Sequence, residues 1–455
     1  MTTTARPTKV TPLSGFPEYL PEQRVVEQHF LDVIRRTFEL HGFPSIETRS
    51  VEPVERLLGK GGDADKEIYG IHRLADDEGR DGAELGLHFD LTVPFARYVV
   101  EHAGRLNFPF RRHQIQKVWR GERPQEGRYR EFTQCDIDVV DVGELAPHFE
   151  AEMPLVMAEI FAQLPMPQMV IQVNNRKIPE GFYRGLGIGA HDGSEIQQTL
   201  RIVDKLDKVG PDKVADLLVE AGRTPEQAQA CLDLAAIRTQ DTSFVERVRA
   251  LGVEHPVLDE GLDALAAVIE TGRASAPGAM VADLKIARGL DYYTGTVYET
   301  QLVGFESWGS FCSGGRYDEL ASDGRNTYPG VGISIGLSRL LGLLLGKGMV
   351  GASRKSPSAV LVAVTDEASR GESVAVATGL RARGIPCEVA PVAAKFGKQI
   401  RFAERRGIPY VWFPGVDAGG DQVKDIRSGD QTDAAATSWE CPYEDLRPQV
   451  VRLGE

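Results

Sequence analysis

Apolar and polar positions alternate along this chain with two different periods, and each predicts a different kind of element. Between Gln23 and Leu40, Val25, Val26, Phe30, Leu31, Val33, Ile34 and Phe38 share one side of a 3.6-residue period, which predicts an amphipathic helix. Pro21 suits its first turn and Gly42 its end. Residues 43–52 read as a loop and a short strand, and 85–100 as a strand turning into a helix. The segments 113–120 and 131–140 are strand-like. The loop 121–129 between them carries glycine and proline, which predicts a hairpin with a long tip. A helix is expected over 149–164, with Pro154 inside it, and a strand over 169–173.

From about residue 174 to 276 the pattern becomes helical with charged faces, as in 200–221 and 224–236, and reads as a helical insertion. Residues 282–302 return to strand, turn and strand. Residues 327–345 read as a strand running into an apolar helix. The segment 351–357 has the small and basic residues of a linker. Beyond it, short apolar strands at 359–364, 387–391 and 410–413 alternate with helices at 369–383 and 396–406, which predicts a small α/β domain with a largely parallel sheet. The expected organisation is a core over 1–350 holding the insertion, the linker 351–357, and a second domain over 358–455.

Composition narrows the class. With 455 residues, 42% hydrophobic and 26% charged, the chain is expected to be globular with more than one domain. The polar N-terminus shows no apolar run, and the most hydrophobic stretch, 332–346, contains Arg339 and is too short for a bilayer, so no membrane association is expected. The five cysteines are scattered without a Cys-x-x-Cys pair, which argues against a disulfide framework or structural zinc. A cytoplasmic location is expected. The net charge of -14 argues against a general nucleic-acid coat. Residues 105–130 nevertheless hold eight Arg or Lys against two acids, a local net charge of +6.

Strands alternate faces with period two. In 131–140 one face is Thr133, Cys135, Ile137 and Val139, which suits a core. The other is Phe132, Gln134, Asp136 and Asp138, which suits either a solvent-facing sheet surface or the floor of a polar cleft. Arg120 and Glu122 share a face on the partner strand, and the loop adds Arg123, Arg128 and Arg130. Forked cations beside acids can hold a phosphate chain and an amine together. Two further blocks, 287–295 (Ala-Arg-Gly-Leu-Asp-Tyr-Tyr-Thr-Gly) and 313–318 (Ser-Gly-Gly-Arg-Tyr-Asp), pack glycine, arginine, aspartate and tyrosine together. A fourth, 330–340, sets Arg339 in an apolar strand and helix. Neither Gly-Lys-Gly-Gly at 59–62 nor the glycines at 330, 332 and 336 match a Walker loop or a dinucleotide fingerprint, and no helical His-x-x-x-His pair occurs.

Taken together, these blocks resemble a known family. The segment 119–132, Trp-Arg-Gly-Glu-Arg-Pro followed by Gly-Arg-Tyr-Arg-Glu-Phe, resembles motif 2 of class II aminoacyl-tRNA synthetases in the form typical of histidyl-tRNA synthetases. Residues 288–295 and 314–318 look like the two histidine-specific signatures of that family, and 336–340 is similar to motif 3. The segment 395–399, Lys-Phe-Gly-Lys-Gln, resembles the anticodon-binding domain. The resemblance implies an α/β chain with an α+β catalytic core, an antiparallel sheet flanked by helices, a helical insertion and a C-terminal α/β anticodon-binding domain. It implies ATP-dependent ligation of L-histidine to tRNA(His) through a histidyl-adenylate, with Mg²⁺, in a homodimer. Arg120, Arg288 and Arg339 would be catalytic. Arg120, Glu122, Arg130, Phe132 and Arg339 would bind ATP, and Asp90, Thr92, Gln134, Asp138, Arg288, Tyr292 and Tyr293 would bind histidine, with no protein metal ligands. The amine would fall to Asp90, Thr92 and Gln134, and the imidazole to Asp138 and Tyr293.

Three positions depart from the family pattern. Arg49 stands near the usual proline of motif 1, Ser338 replaces an acid in motif 3, and Phe89-Asp90-Leu91-Thr92 replaces Pro-Glu-Gly-Thr. The rival reading is a non-catalytic histidine sensor such as the regulatory subunit of ATP phosphoribosyltransferase, which usually lacks the histidine-specific arginine and the anticodon-binding domain.

Overall fold

A computed structural model of the chain describes residues 10–58, 66–73, 84–189, 193–286, 292–417 and 420–454. It divides into two compact units, Met1–Pro17 with Val33–Leu343 and Glu18–Asp32 with Leu344–Glu455.

The first unit is built on an eight-stranded sheet. In chain order its strands are β1 (Phe110–Trp119), β2 (Glu131–Val140), β3 (Met169–Asn175), β4 (Arg238–Thr239), β5 (Met280–Asp283), β6 (Thr296–Leu302), β7 (Cys312–Tyr317) and β8 (Gly330–Gly336). Their order across the sheet is β1-β2-β8-β7-β6-β3-β5-β4. Every pairing is antiparallel except that of β3 with β5. The long hairpin β1–β2 is the one expected from the sequence, in register from Phe110 opposite Val140 to Trp119 opposite Glu131.

Helices cover the sheet. His148–Gln163, with Pro154 inside it, lies against β3 and β8. The helical segment after β3 is tied to the sheet at its ends. Its last helix, Pro256–Ser275, packs on β3, on β5 and on His148–Gln163, and Arg238–Thr239 supplies the edge strand. Helices Lys177–Gly185 and Pro256–Ser275 cross where a Cβ on Gly181 would lie 2.2 Å from Leu258 N, so only glycine allows the contact.

In the second unit, five strands lie in the order Cys387–Val389, Val360–Val362, Tyr410–Asp417, Gly420–Asp425, Gln431–Ala434. The first three are parallel, as the alternation of strand and helix predicts. The last two are antiparallel additions that the sequence reading did not contain. Each has mostly polar residues, so no apolar alternation marks them. Val360, Val362, Leu380 and Trp412 fill one side of this sheet, and Leu361, Ala363, Ala403, Val411 and Phe413 the other. Residues 351–357, read as a linker, are part of this unit's structure. Val350–Ala352 pairs with Val450–Arg452, and the buried Arg354 donates to the carbonyls of Ser356, Pro357 and Asp445.

Candidate functional site

Directly opposed residues on antiparallel strands share a face, so the register of the large sheet builds the site. One cross-strand row reads Gln114, Asp136, Ser334, Ser313, Glu299, Gln172. The next row reads Arg112, Asp138, Gly332, Gly315, Val297, Asn174. The first row is polar throughout. The second has two adjacent glycines, which leave a recess beside Asp138. A Cβ on Gly332 would lie 2.1 Å from Asp138 Oδ1, and one on Gly315 would lie 2.8 Å from the Tyr293 ring. These glycines therefore make room for a carboxylate and a phenol.

The polar face of β2 does not meet solvent. Gln134 is 8% exposed and Asp136 and Asp138 are each 2% exposed, while Cys135, Ile137 and Val139 on the other face are fully buried. The face floors a cleft of about 850 Å³, within the usual range for a ligand pocket. Asp90, Thr92, Arg120, Gln134, Asp136, Tyr292, Tyr293, Glu299 and Arg339 are among its lining residues.

Arginines are among the lining residues. The Arg120 guanidinium lies 5.2 Å from the Phe132 ring centre, and its Nε donates to the Phe89 carbonyl at 3.0 Å. Arg339 donates through Nη2 to the Trp308 carbonyl, and its buried Nε has no partner among the described residues. Glu122 accepts from Arg128 at 3.2 Å. Arg130 is the exception among the expected ATP-binding residues. Its Nε donates to the Glu122 carbonyl and its backbone N–H to Gly15, and it is absent from the cleft wall.

Buried acids line the cleft too, and Asp90 is close enough to Arg120 to feel its charge. Asp90, just ahead of helix Thr92–His102, accepts from Val93 N at 3.0 Å and from the Tyr292 hydroxyl at 3.1 Å. Gln134 Nε2 donates to Ser334 at 2.7 Å, leaving its Oε1 without a partner among the described residues. Asp138 receives Arg112 Nη2 at 2.5 Å on Oδ2 and the Tyr317 hydroxyl at 2.8 Å on Oδ1. Burial raises the Asp138 carboxyl to about 6 against the pull of Arg112, and raises Asp136 to about 7. Burial also lifts Asp90. Burial, with the carboxylates Asp138 and Asp90, holds the Tyr293 hydroxyl protonated far above its usual range, so it keeps an O–H to donate and can also accept. Arg288 lies outside the described residues.

Three contributors escaped the sequence reading. Asp136 was seen on the polar face but not assigned to the site. Arg112 becomes visible as the partner of Asp138 only once the hairpin register is known. Glu299 sits in a strand whose pattern gives no sign of a cleft. Two of the departures from the family pattern have local structural work. Ser338 Oγ accepts from Thr133 N at 2.9 Å, and Arg49, with Arg97, neutralises the buried Glu52.

Glu299 gives a stability prediction. Burial raises its carboxyl to about 7, with Asp204 and Asp283 adding to the shift. A carboxyl raised in the folded state favours folding below the ordinary carboxylate range, and that contribution is lost as pH rises through about 7. Glu299→Gln should therefore be more stable than the parent at pH 8, by on the order of 1–3 kcal/mol, and no more stable at pH 4. Urea unfolding at both pH values decides, and a gain of equal size at both would contradict the linkage.

The chain is similar to known proteins. A family model described as histidyl-tRNA synthetase matches residues 15–340. A histidine–tRNA ligase of Micrococcus luteus is 60% identical, the match covering 97% of this chain and 98% of that protein. The crystal structure of histidyl-tRNA synthetase from Nostoc sp. PCC 7120 superposes with a TM-score of 0.83 at 36% identity, covering 95% of this chain and 98% of that one. A structure described as an ATP phosphoribosyltransferase regulatory subunit/histidyl-tRNA synthetase from Bacillus halodurans C gives a TM-score of 0.70 over 87% of this chain and 97% of that one. At 18% identity it shares the fold alone.

Proposed function

The chain belongs to the histidyl-tRNA synthetase family and catalyses the ATP-dependent joining of L-histidine to tRNA, and from that premise we propose how its residues divide the work. The observation that carries the assignment is the polarity of the cleft. Arg120, Arg128 and Arg339 line it together with the buried carboxylates of Asp90 and Asp136, and Asp138 lines the adjoining recess.

Arg120 holds the ATP α-phosphate, and its guanidinium is steadied from below by Phe132. Phe132 and Arg339 enclose the adenine. Arg120, Arg339 and Arg288 together meet the negative charge that develops as the histidine carboxylate attacks phosphorus and diphosphate leaves. Glu122 lines the cleft beside Arg120 and Arg339. Asp90, Thr92 and the free Oε1 of Gln134 accept from the α-ammonium, with Tyr292 fixing the Asp90 carboxylate. Tyr293 donates to the imidazole, and Asp138 closes the recess that receives the ring.

Among the described residues no three His, Cys, Asp or Glu side chains converge as a metal site. Mg²⁺ typically takes one or two carboxylates with phosphate oxygens and water. Glu122 and Glu299 are carboxylates on the cleft walls, so the residues present fit an ion that arrives with ATP. Such an ion would offset phosphate charge.

The C-terminal residues 358–455 are assigned to anticodon recognition and residues 174–276 to the helical insertion. A homodimer is the working unit the family resemblance implies. No helix among the described residues is long and apolar enough to cross a membrane. The substrates ATP and tRNA put the action in the cytoplasm. The sensor reading has in its favour only a shared fold.

Histidine-dependent exchange of pyrophosphate into ATP tests the activation step. Exchange with histidine and not with the other amino acids is expected. Its absence, with histidine still bound, would favour the sensor.

A further inference from the structure

The connection between β6 and β7 carries no residue assigned a substrate so far, yet residues 306–310 line the cleft. Trp308 closes a short helical turn there, Glu306–Trp308. Its N–H donates to the Phe305 carbonyl and the Gly309 N–H to the Glu306 carbonyl, each at 2.9 Å. From this turn Trp308 makes two contacts of different kinds. Its carbonyl accepts Arg339 Nη2, and a Cβ on the neighbouring Gly309 would lie 2.9 Å from that same nitrogen. Its indole lies on the tip of the loop 121–129, where a Cβ on Gly127 would stand 2.6 Å from the ring atoms Cε2 and Cζ2. That tip is a tight turn in which Gln125 and Arg128 exchange backbone hydrogen bonds at 2.9 and 3.3 Å. Gly127 has a φ of 74°. Only a residue without a side chain suits that φ and also admits the ring.

The two parts that Trp308 joins repel each other. Arg128 follows Gly127 in the loop and lines the cleft with Arg339. Burial, and then the nearby charge of Arg128, hold the Arg339 guanidinium below its usual range. Before a polyanion arrives, like charges favour a loop that swings away from Arg339, and the indole seated on Gly127 opposes that. The ring is also not placed for its own hydrogen bonding. Its Nε1 is buried and has no partner among the described residues. A buried donor without an acceptor costs stability, and such local violations are kept where function needs them.

We propose that Trp308 is a positioning residue for ATP: its indole clasps the loop 121–129 at Gly127 and its carbonyl holds Arg339, so that Arg128 and Arg339 stand ready together before the nucleotide binds. The ring acts through these two arginines and has no contact of its own with ATP. This deepens the reading of the same cleft and rests on it.

The test uses the full-length protein with Trp308→Ala, Trp308→Leu and Trp308→Phe. In pyrophosphate exchange, Trp308→Ala should raise the ATP KM roughly 5- to 20-fold, as expected when an aromatic contact and the preorganisation it gives are lost. The histidine KM should stay within about twofold. Trp308→Leu fills much of the volume without a flat ring and carries the same expectations. Trp308→Phe keeps a ring on Gly127 and drops only the unmet N–H, so its ATP KM should stay within about threefold of the parent. Limited trypsin digestion without ATP reads the loop directly. The Arg128–Tyr129 bond should be cut roughly tenfold faster in Trp308→Ala than in the parent, with cutting elsewhere unchanged and protection restored by ATP. An ATP KM within about twofold of the parent in both Trp308→Ala and Trp308→Leu, or an equal loss in Trp308→Phe, overturns the proposal. Cleavage that rises evenly along the chain in both Trp308→Ala and Trp308→Leu would make the residue structural and overturn it as well. A parent without histidine-dependent exchange would remove the functional reading instead, and the cleavage comparison, which needs no catalysis, would still decide the clasp.

Discussion

Arg120→Ala should lower the rate of histidine-dependent pyrophosphate exchange by roughly 10²- to 10⁴-fold, the range seen when one preorganised charged donor is lost from a transition state. The size follows from how the side chain is held. Its Nε is fixed on the Phe89 carbonyl at 3.0 Å, and its flat guanidinium lies over the Phe132 ring. These contacts leave the terminal nitrogens for the cleft and restrict the guanidinium before ATP arrives, so little reorganisation remains for the chemical step. Arg339, another cation of the cleft, is tied to the Trp308 carbonyl. Histidine binding should change much less, because Asp90 and Gln134 keep their own partners, Val93, Tyr292 and Ser334. Arg120→Lys should recover only part of the rate, since an ammonium restores charge but neither the guanidinium's contact with Phe132 nor the fork that grips phosphate. Rapid-quench measurement of adenylate formation, beside calorimetric histidine binding, separates these effects. A rate within about fivefold of the parent for Arg120→Ala would remove the residue from its assigned role.

Much of this organisation was legible where the chain's periodicity is strong. The helix Pro21–Leu40, the hairpin β1–β2 and the strand-to-helix passage Gly330–Gly346 all carry their own patterns. The polar face of β2 was legible as a face, yet its burial was not. Nothing in the sequence says that β8 and β7 extend the sheet beyond β2, or that Gly332 and Gly315 fall side by side and hollow it out. A cross-strand row is a property of register, which depends on long-range pairing and not on local propensity. For the same reason Arg112 reads in sequence as one more member of a basic cluster, although the fold takes it wholly out of water. The opposite happened to Arg130, which sits inside the motif but turns to the Glu122 carbonyl. The polar strands Gly420–Asp425 and Gln431–Ala434 were missed because the first carries a single apolar residue, Val423, and the second, at the sheet's margin, needs no apolar face.

Arg112→Met should be the most destabilising single change in the site, because one guanidinium serves three carboxylates. Arg112 has no solvent exposure, sits 4.5 Å from the Phe95 ring centre and pairs with Asp138 at 2.5 Å. Its charge also opposes the upward pull of burial on Asp90 and Asp136. Methionine can fill much of the volume and keep the contact with Phe95, so the change tests charge more than packing. Removing one partner of a buried pair typically costs about 3–5 kcal/mol, since the other charge is left uncompensated. The pH dependence gives the sign. Without Arg112, Asp138 rises above its present value near 6 and Asp136 above its value near 7. Carboxyls raised further in the folded state favour it below the ordinary carboxylate range and lose that contribution as pH rises through their folded values. The deficit of Arg112→Met should therefore be small near pH 4 and grow to its full size by pH 8, with the histidine KM rising over the same interval. Urea unfolding of parent and variant across that range, followed by pyrophosphate exchange, measures both. A deficit that stays constant with pH would mean that Arg112 holds the site by packing on Phe95 and not by its charge.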